Sequence, residues 1–114
     1  MQSGPRMTTP TQAVLHVLLN GPGHEHYGLE LCALAGLPSG TLYPILARLE
    51  QAGWVESRWE DPETHVREGR PRRRYYRITP DGAVRSRAAI ARAQRRRPAP
   101  GWRLGPGPVA GGGS

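Results

Sequence analysis

The chain has no lysine, no phenylalanine, a single cysteine and no apolar run near membrane length. One thiol, Cys32, excludes an internal disulfide framework and leaves a zinc cage without its usual second thiolate, which fits a reducing compartment. The opening segment MQSGPRMTTP lacks the apolar stretch of a secretory signal, and no run approaches the roughly 18 residues a membrane helix needs. These absences predict a cytoplasmic protein with no membrane partner; Met7 offers a second candidate start, with residues 1–6 then an extension. Because lysine is missing, all 16 basic side chains are arginine. Arginine suits forked contacts to phosphate and guanine, and a GC-rich coding bias would give the same preference.

What is present lies unevenly along the chain. Its 114 residues suffice for one small core, and the 15 Gly and 12 Pro gather mostly at the two ends. Residues 1–66 carry three Arg against seven acids, a balance of −4, whereas residues 67–114 carry thirteen Arg against Glu68 and Asp81, a balance of +11. The organisation expected is a flexible extension over 1–8, one domain over 9–97, and a disordered Gly/Pro-rich tail over 98–114, whose composition cannot offset chain entropy.

Thr8 to Thr11 offer hydroxyl caps and an early proline, and Val14, Leu15, Leu18 and Leu19 then supply the apolar face of a first helix. Asn20 to Gly23 stop it, and HEHYGLELCALAGLP predicts a second helix of about three turns with Leu29, Leu31, Ala33 and Leu34 on its stripe. A third helix over 39–52 shows Leu42, Ile45, Leu46 and Leu49 at helical spacing. Ser39 is its expected N-cap, with a loose first turn because Pro44 lies close behind.

WVESRWE and RRRYYRI alternate as two strands, with Trp54 and Trp59 expected to pack beneath them and Tyr76 and Ile78 in the core. The connection DPETHVREGRPR is long for a hairpin and predicts a mobile, functional loop. Thr79-Pro80-Asp81 opens a final helix to about Arg96, its thin apolar face drawn from Ala83, Val84, Ala88 and Ala91.

Three helices, a two-stranded hairpin with a basic tip and a C-terminal helix make a mainly α chain with a small β-hairpin (α+β), a winged helix-turn-helix. Helix 39–52 is the candidate for the major groove, its stripe held to the core and Ser39, Gly40, Thr41, Tyr43, Pro44, Ala47 and Arg48 facing outward in some proportion. HYGLEL, LPSGTLYPILARLEQAGWVESRWED and GRPRRRYYRITPDG also resemble the winged-helix domain of PadR-type transcriptional regulators, across about residues 9–90. The resemblance implies a bacterial transcription factor, usually a repressor and usually a homodimer, on an operator near a promoter. In it, SGTLYPILARLE is the recognition helix and GRPRRRYYRIT the outer wing strand. The long C-terminal dimerisation region of larger members is reduced here to RAAIARAQRRR.

The expected duplex contacts are Ser39, Gly40, Thr41, Tyr43, Pro44 and Arg48 on that helix and Arg70, Arg72, Arg73 and Arg74 on the wing, with Tyr27 and Gly28 touching phosphate at the start of the second helix. Ser39 and Thr41 can equally act as caps, and Arg48 can equally form a surface salt bridge. His24, His26, His65 and Cys32 match no common zinc spacing, so no metal and no cofactor are expected, and no catalytic constellation is present. The residues do not identify a small-molecule effector, and the indoles of Trp54 and Trp59 leave a ligand cavity open. Two other functions fit less well: a winged-helix docking module, which the contiguous arginines disfavour, and a non-specific nucleic-acid binder using residues 85–103.

Overall fold

The computed structural model describes residues 4–96. The tail expected over 98–114 lies outside the described residues, as do residues 1–3. Helix α1 (Thr9–Leu19) begins where the Thr8 hydroxyl accepts the Thr11 N–H and Pro10 occupies the first turn. It buries Thr11, Val14, Leu15 and Leu18 against α2 (Gly28–Ala35) and α3 (Ser39–Gln51).

The α2 helix is shorter than its pattern predicts, because His26 and Tyr27 leave it to form a two-residue strand, β1. Only Leu31 of its expected stripe is buried; Leu29, Ala33 and Leu34 face outward. Gly36 ends α2 in the left-handed conformation at φ 70°, and the Leu37 N–H then reaches back to the Cys32 carbonyl at 3.0 Å. That Schellman stop turns the chain through 109° into α3, within the range of helix-turn-helix pairs.

In α3 the whole stripe Leu42, Ile45, Leu46 and Leu49 is buried. Pro38, not Ser39, is the N-cap, and Ser39 is the first helical residue. Both Thr41 and Leu42 N–H groups bond the Pro38 carbonyl at 3.0 Å, so the first turn is tight instead of loose. Pro44 sits inside the helix and forfeits one backbone bond, at an exposed position.

The sheet has three strands in the order β1 (His26–Tyr27), β3 (Arg74–Ile78), β2 (Val55–Trp59), all antiparallel. Val55 faces Ile78 and Trp59 faces Arg74 across the hairpin, while His26 and Tyr27 face Tyr76 and Tyr75. Trp54, Val55, Tyr76 and Ile78 join the core, but Trp59 is 50% exposed, contrary to the packing expected of it.

The hairpin connection also differs from the mobile loop expected, because it contains helix α4 (Pro62–Glu68). Asp61 caps it by accepting the Glu63 N–H at 2.9 Å, and Gly69 closes it. The last helix, α5 (Pro80–Arg96), starts on the Thr79 hydroxyl, which accepts the Gly82 N–H at 2.8 Å. It buries Ala83, Ser86, Ala89 and Ile90, whereas Val84 and Ala88, assigned to that face from the sequence, are exposed. Residues 4–8, expected to be flexible, run along a cleft of about 1120 Å³ with Trp54 and α5, and Met7 packs against the core.

Candidate nucleic-acid interface

The exposed side of α3 follows from its buried side: with four aliphatic side chains held inward, Ser39, Gly40, Tyr43, Pro44, Ala47 and Arg48 point to solvent and Thr41 is half-buried. Arg48 has no ion-pair partner among the described residues, so its guanidinium faces water with its charge unanswered. The Tyr43 ring leans back until its hydroxyl lies against Gly28, where a Cβ would collide with it. Glycine at the start of α2 is therefore what leaves room for the Tyr43 side chain of α3 against α2.

Tyr27, next to Gly28, continues this surface onto the wing. Its N–H donates to Glu30 Oε1 at 3.3 Å, its ring meets Tyr75 edge-on at 6.0 Å, and the Arg73 guanidinium lies over it at 3.9 Å from the centroid. Tyr43, Gly28, Tyr27 and Arg73 form a continuous path from α3 to the wing.

The wing itself is tied to the end of α3. The Ser57 hydroxyl donates to Glu50 Oε2 at 2.6 Å, and Arg74 donates to the Ser57 oxygen at 2.8 Å while lying 3.5 Å from the Glu50 carboxylate. That network fixes the tilt of the hairpin relative to the helix. Arg72 donates to the Glu60 carbonyl at 3.0 Å, a neutral acceptor, and stacks at 5.4 Å over the exposed Trp59, on which Arg74 also lies.

Arg70 is placed differently from its three neighbours. Its side chain is 19% exposed and forks onto Glu60 with bonds of 2.7 and 2.9 Å, with a third bond of 2.8 Å to Glu68. These bonds hold the Glu60 carboxyl down from its ordinary 4.5 to about 2, the Arg70 hydrogen bonds contributing most and the Arg73 N–H adding to them. Arg70 thus closes the base of the α4 excursion. Arg58 and Arg77 are likewise committed, to Glu25 and Glu56.

Sequence reasoning grouped Arg70 with Arg72, Arg73 and Arg74; the fold turns Arg70 inward onto Glu60, lays Arg72 and Arg74 over Trp59, with Arg74 beside Glu50 of α3, and lays Arg73 over Tyr27 at the start of α2. It also assigned Trp59 to packing instead of to the exposed platform beneath Arg72 and Arg74, and it missed the Gly28–Tyr43 contact. The Asp61-Pro62-Glu63 start and Gly69 stop of α4 were readable signals for the helix that folds Glu60 and Arg70 together. His65, considered with the other histidines, stands apart with Nδ1 3.0 Å from the Arg70 carbonyl.

The family model for PadR-like transcriptional regulators matches residues 14–88, spanning both helices of the turn motif and the wing. The chain belongs to the PadR-like family. This is a family of transcriptional regulators, not of enzymes. Among solved structures, the PadR-family regulator from Eggerthella lenta is similar at TM-score 0.56 and 29% identity, covering 76% of each chain. A transcriptional regulator from Clostridium thermocellum is similar at TM-score 0.58 and 26% identity, over 75% of this chain and 82% of that one. The winged-helix fold is shared more widely: PcaV of Streptomyces coelicolor aligns at TM-score 0.64 and 24% identity over 95% of this chain and 67% of its own. The chain spans 61% of the length of BpsR from Bordetella bronchiseptica, which it matches at 17% identity. No curated protein matches it by sequence. Among the described residues, no single helix is long and apolar enough to cross a membrane.

Proposed function

We propose that this PadR-like chain is a sequence-specific binder of double-stranded DNA that represses transcription by occupying an operator. Helix α3 enters the major groove with Ser39, Gly40, Thr41, Tyr43, Pro44 and Arg48, and Arg72, Arg73 and Arg74 hold phosphates beside it. The observation that supports this reading is the path Tyr43–Gly28–Tyr27–Arg73, which links the exposed side of α3 to one cation of the wing. Tyr27 and the N–H groups of α2 at Gly28 then face a phosphate between the two. Arg70 leaves the set of contacts, since releasing it from Glu60 would strand a carboxylate that is 5% exposed.

The family reading carries a homodimer, and Val84 and Ala88, exposed on α5 where they line the cleft shared with residues 4–8, offer apolar surface to a second copy. Duplexes selected from a random pool test the proposal. Enrichment of one sequence, bound at least about tenfold more tightly than its scrambled form at 0.15 M salt, supports it; equal binding of both points to a non-specific binder, and no binding points to a docking module.

A further inference from the structure

Beyond the duplex face, the corner where α1 ends and β1 begins gathers three groups that the linear spacing did not bring together. Donor atoms of His24, His26 and Glu30 all lie within 4.8 Å of one another. His26 is fixed by its place in β1 opposite Tyr76, and its side chain is 10% exposed. Its Nδ1 is buried and has no hydrogen-bond partner among the described residues. Glu30 Oε1 is 3.3 Å away, but the pair is not aligned as a hydrogen bond.

We propose that His24, His26 and Glu30 form a binding site for one divalent transition-metal ion of the zinc type, held by two imidazole nitrogens and a carboxylate. A separation of 3.3 Å is about the edge expected between two donors that share a tetrahedral ion at ~2.0–2.1 Å. The ion takes the place of the missing partner of His26 Nδ1. Two features pre-set the ligands: β1 pairing fixes the His26 backbone, and the Tyr27 N–H bonds the Glu30 carboxylate, the kind of outer contact that orients a ligating group. His24 is the movable ligand. It is exposed, follows Gly21-Pro22-Gly23, and its ring already stands edge-on to His26 with centroids 4.5 Å apart. A side-chain rotation brings its nitrogen onto the ion, and solvent completes the coordination on the open side.

Imidazole nitrogens with a carboxylate suit zinc, cobalt and nickel better than magnesium or calcium, which prefer all-oxygen cages. The neighbouring acid Glu25 is not available, being engaged by Arg58 through two bonds of 2.7 Å. Because β1 pairs with β3, the bound ion clamps the α1–α2 turn onto the wing sheet.

Zinc chloride and cobalt(II) chloride titrated into the full chain near pH 7.4 test the site without any duplex, so the result is independent of the regulator reading. The expected result is saturable binding of one ion per chain, a visible cobalt band of low-coordinate type, and a rise in melting temperature with zinc. His24→Gln and Glu30→Gln each weaken binding roughly tenfold or more, while His16→Gln and Cys32→Ser bind as the parent does. His24 is exposed, so its variant keeps the fold, checked by circular dichroism, even if His26→Gln does not. The proposal is overturned if the parent shows no saturable binding below about 1 mM. It is equally overturned if His24→Gln and Glu30→Gln bind like the parent, leaving only a histidine–carboxylate contact, or if Cys32→Ser or His16→Gln abolishes binding.

Discussion

Two regions of one short motif treat the same side chain in opposite ways. At the base of the wing excursion, Arg70 is drawn in and answered by Glu60 and Glu68, so its charge is spent on closing α4 against β3. A few residues on, Arg72 and Arg73 rest on the aromatic rings of Trp59 and Tyr27, with no carboxylate on either guanidinium among the described residues. Arg74 stands between, sharing Glu50 at 3.5 Å. An aromatic platform orients a guanidinium without neutralising it, whereas a carboxylate does both. A run of arginines is therefore a structural clamp at one end and an available cationic edge at the other, and local acid placement decides which.

The largest expected effect tests the open end. Replacing Arg72 and Arg73 together by alanine should lower the salt slope of duplex binding by about 1.8 and weaken binding about 30-fold at 0.15 M salt, the counterion-release value for two phosphates referred to 1 M. Melting temperature should hardly move. Next, Tyr43→Ala should change the preference between selected and scrambled duplexes by about 1–2 kcal/mol while leaving the salt slope intact, as read in paired titrations. Gly28→Ala should reproduce part of that loss, since the added methyl displaces the Tyr43 ring and not a phosphate contact.

The closed end responds to acid. Glu60 has its folded-state carboxyl lowered to about 2, so its pairing with Arg70 stabilises the fold above about pH 4.5 and is lost as pH falls from there toward 2. Thermal unfolding followed across that window should show stability declining with pH, and Glu60→Gln should flatten the decline. This is the smallest of the expected effects near neutral pH, where the pair stays intact.

How far the fold could be read from residues alone varied with the length of the signal. The α3 stripe repeats over four aliphatic positions, and all four are buried. Thr79 and Pro80 mark the start of α5 where the structure places it. The two-residue strand β1 has no period to detect; it exists because β3 offers it an edge, which is a tertiary fact. Leu29 and Leu34 look like core by type, yet once β1 takes His26 and Tyr27, α2 turns its Leu31 side inward. In α5, Ala89 and Ile90 pack while Val84 faces out, because a thin alanine-rich face leaves its orientation to the elements it meets. The candidate contacts were legible as a set of types, but the split between Arg70 and its neighbours depends on Glu60, ten residues upstream and folded back by α4.

The most direct test compares salt slopes of duplex binding for the parent, Arg70→Ala and the Arg72→Ala/Arg73→Ala pair, each measured on protein shown to be folded. The account predicts that Arg70→Ala keeps the parent slope and lowers the melting temperature, while the pair flattens the slope by about 1.8 and leaves melting unchanged. The reverse pattern, with Arg70→Ala flattening the slope and the pair leaving it as in the parent, would contradict it.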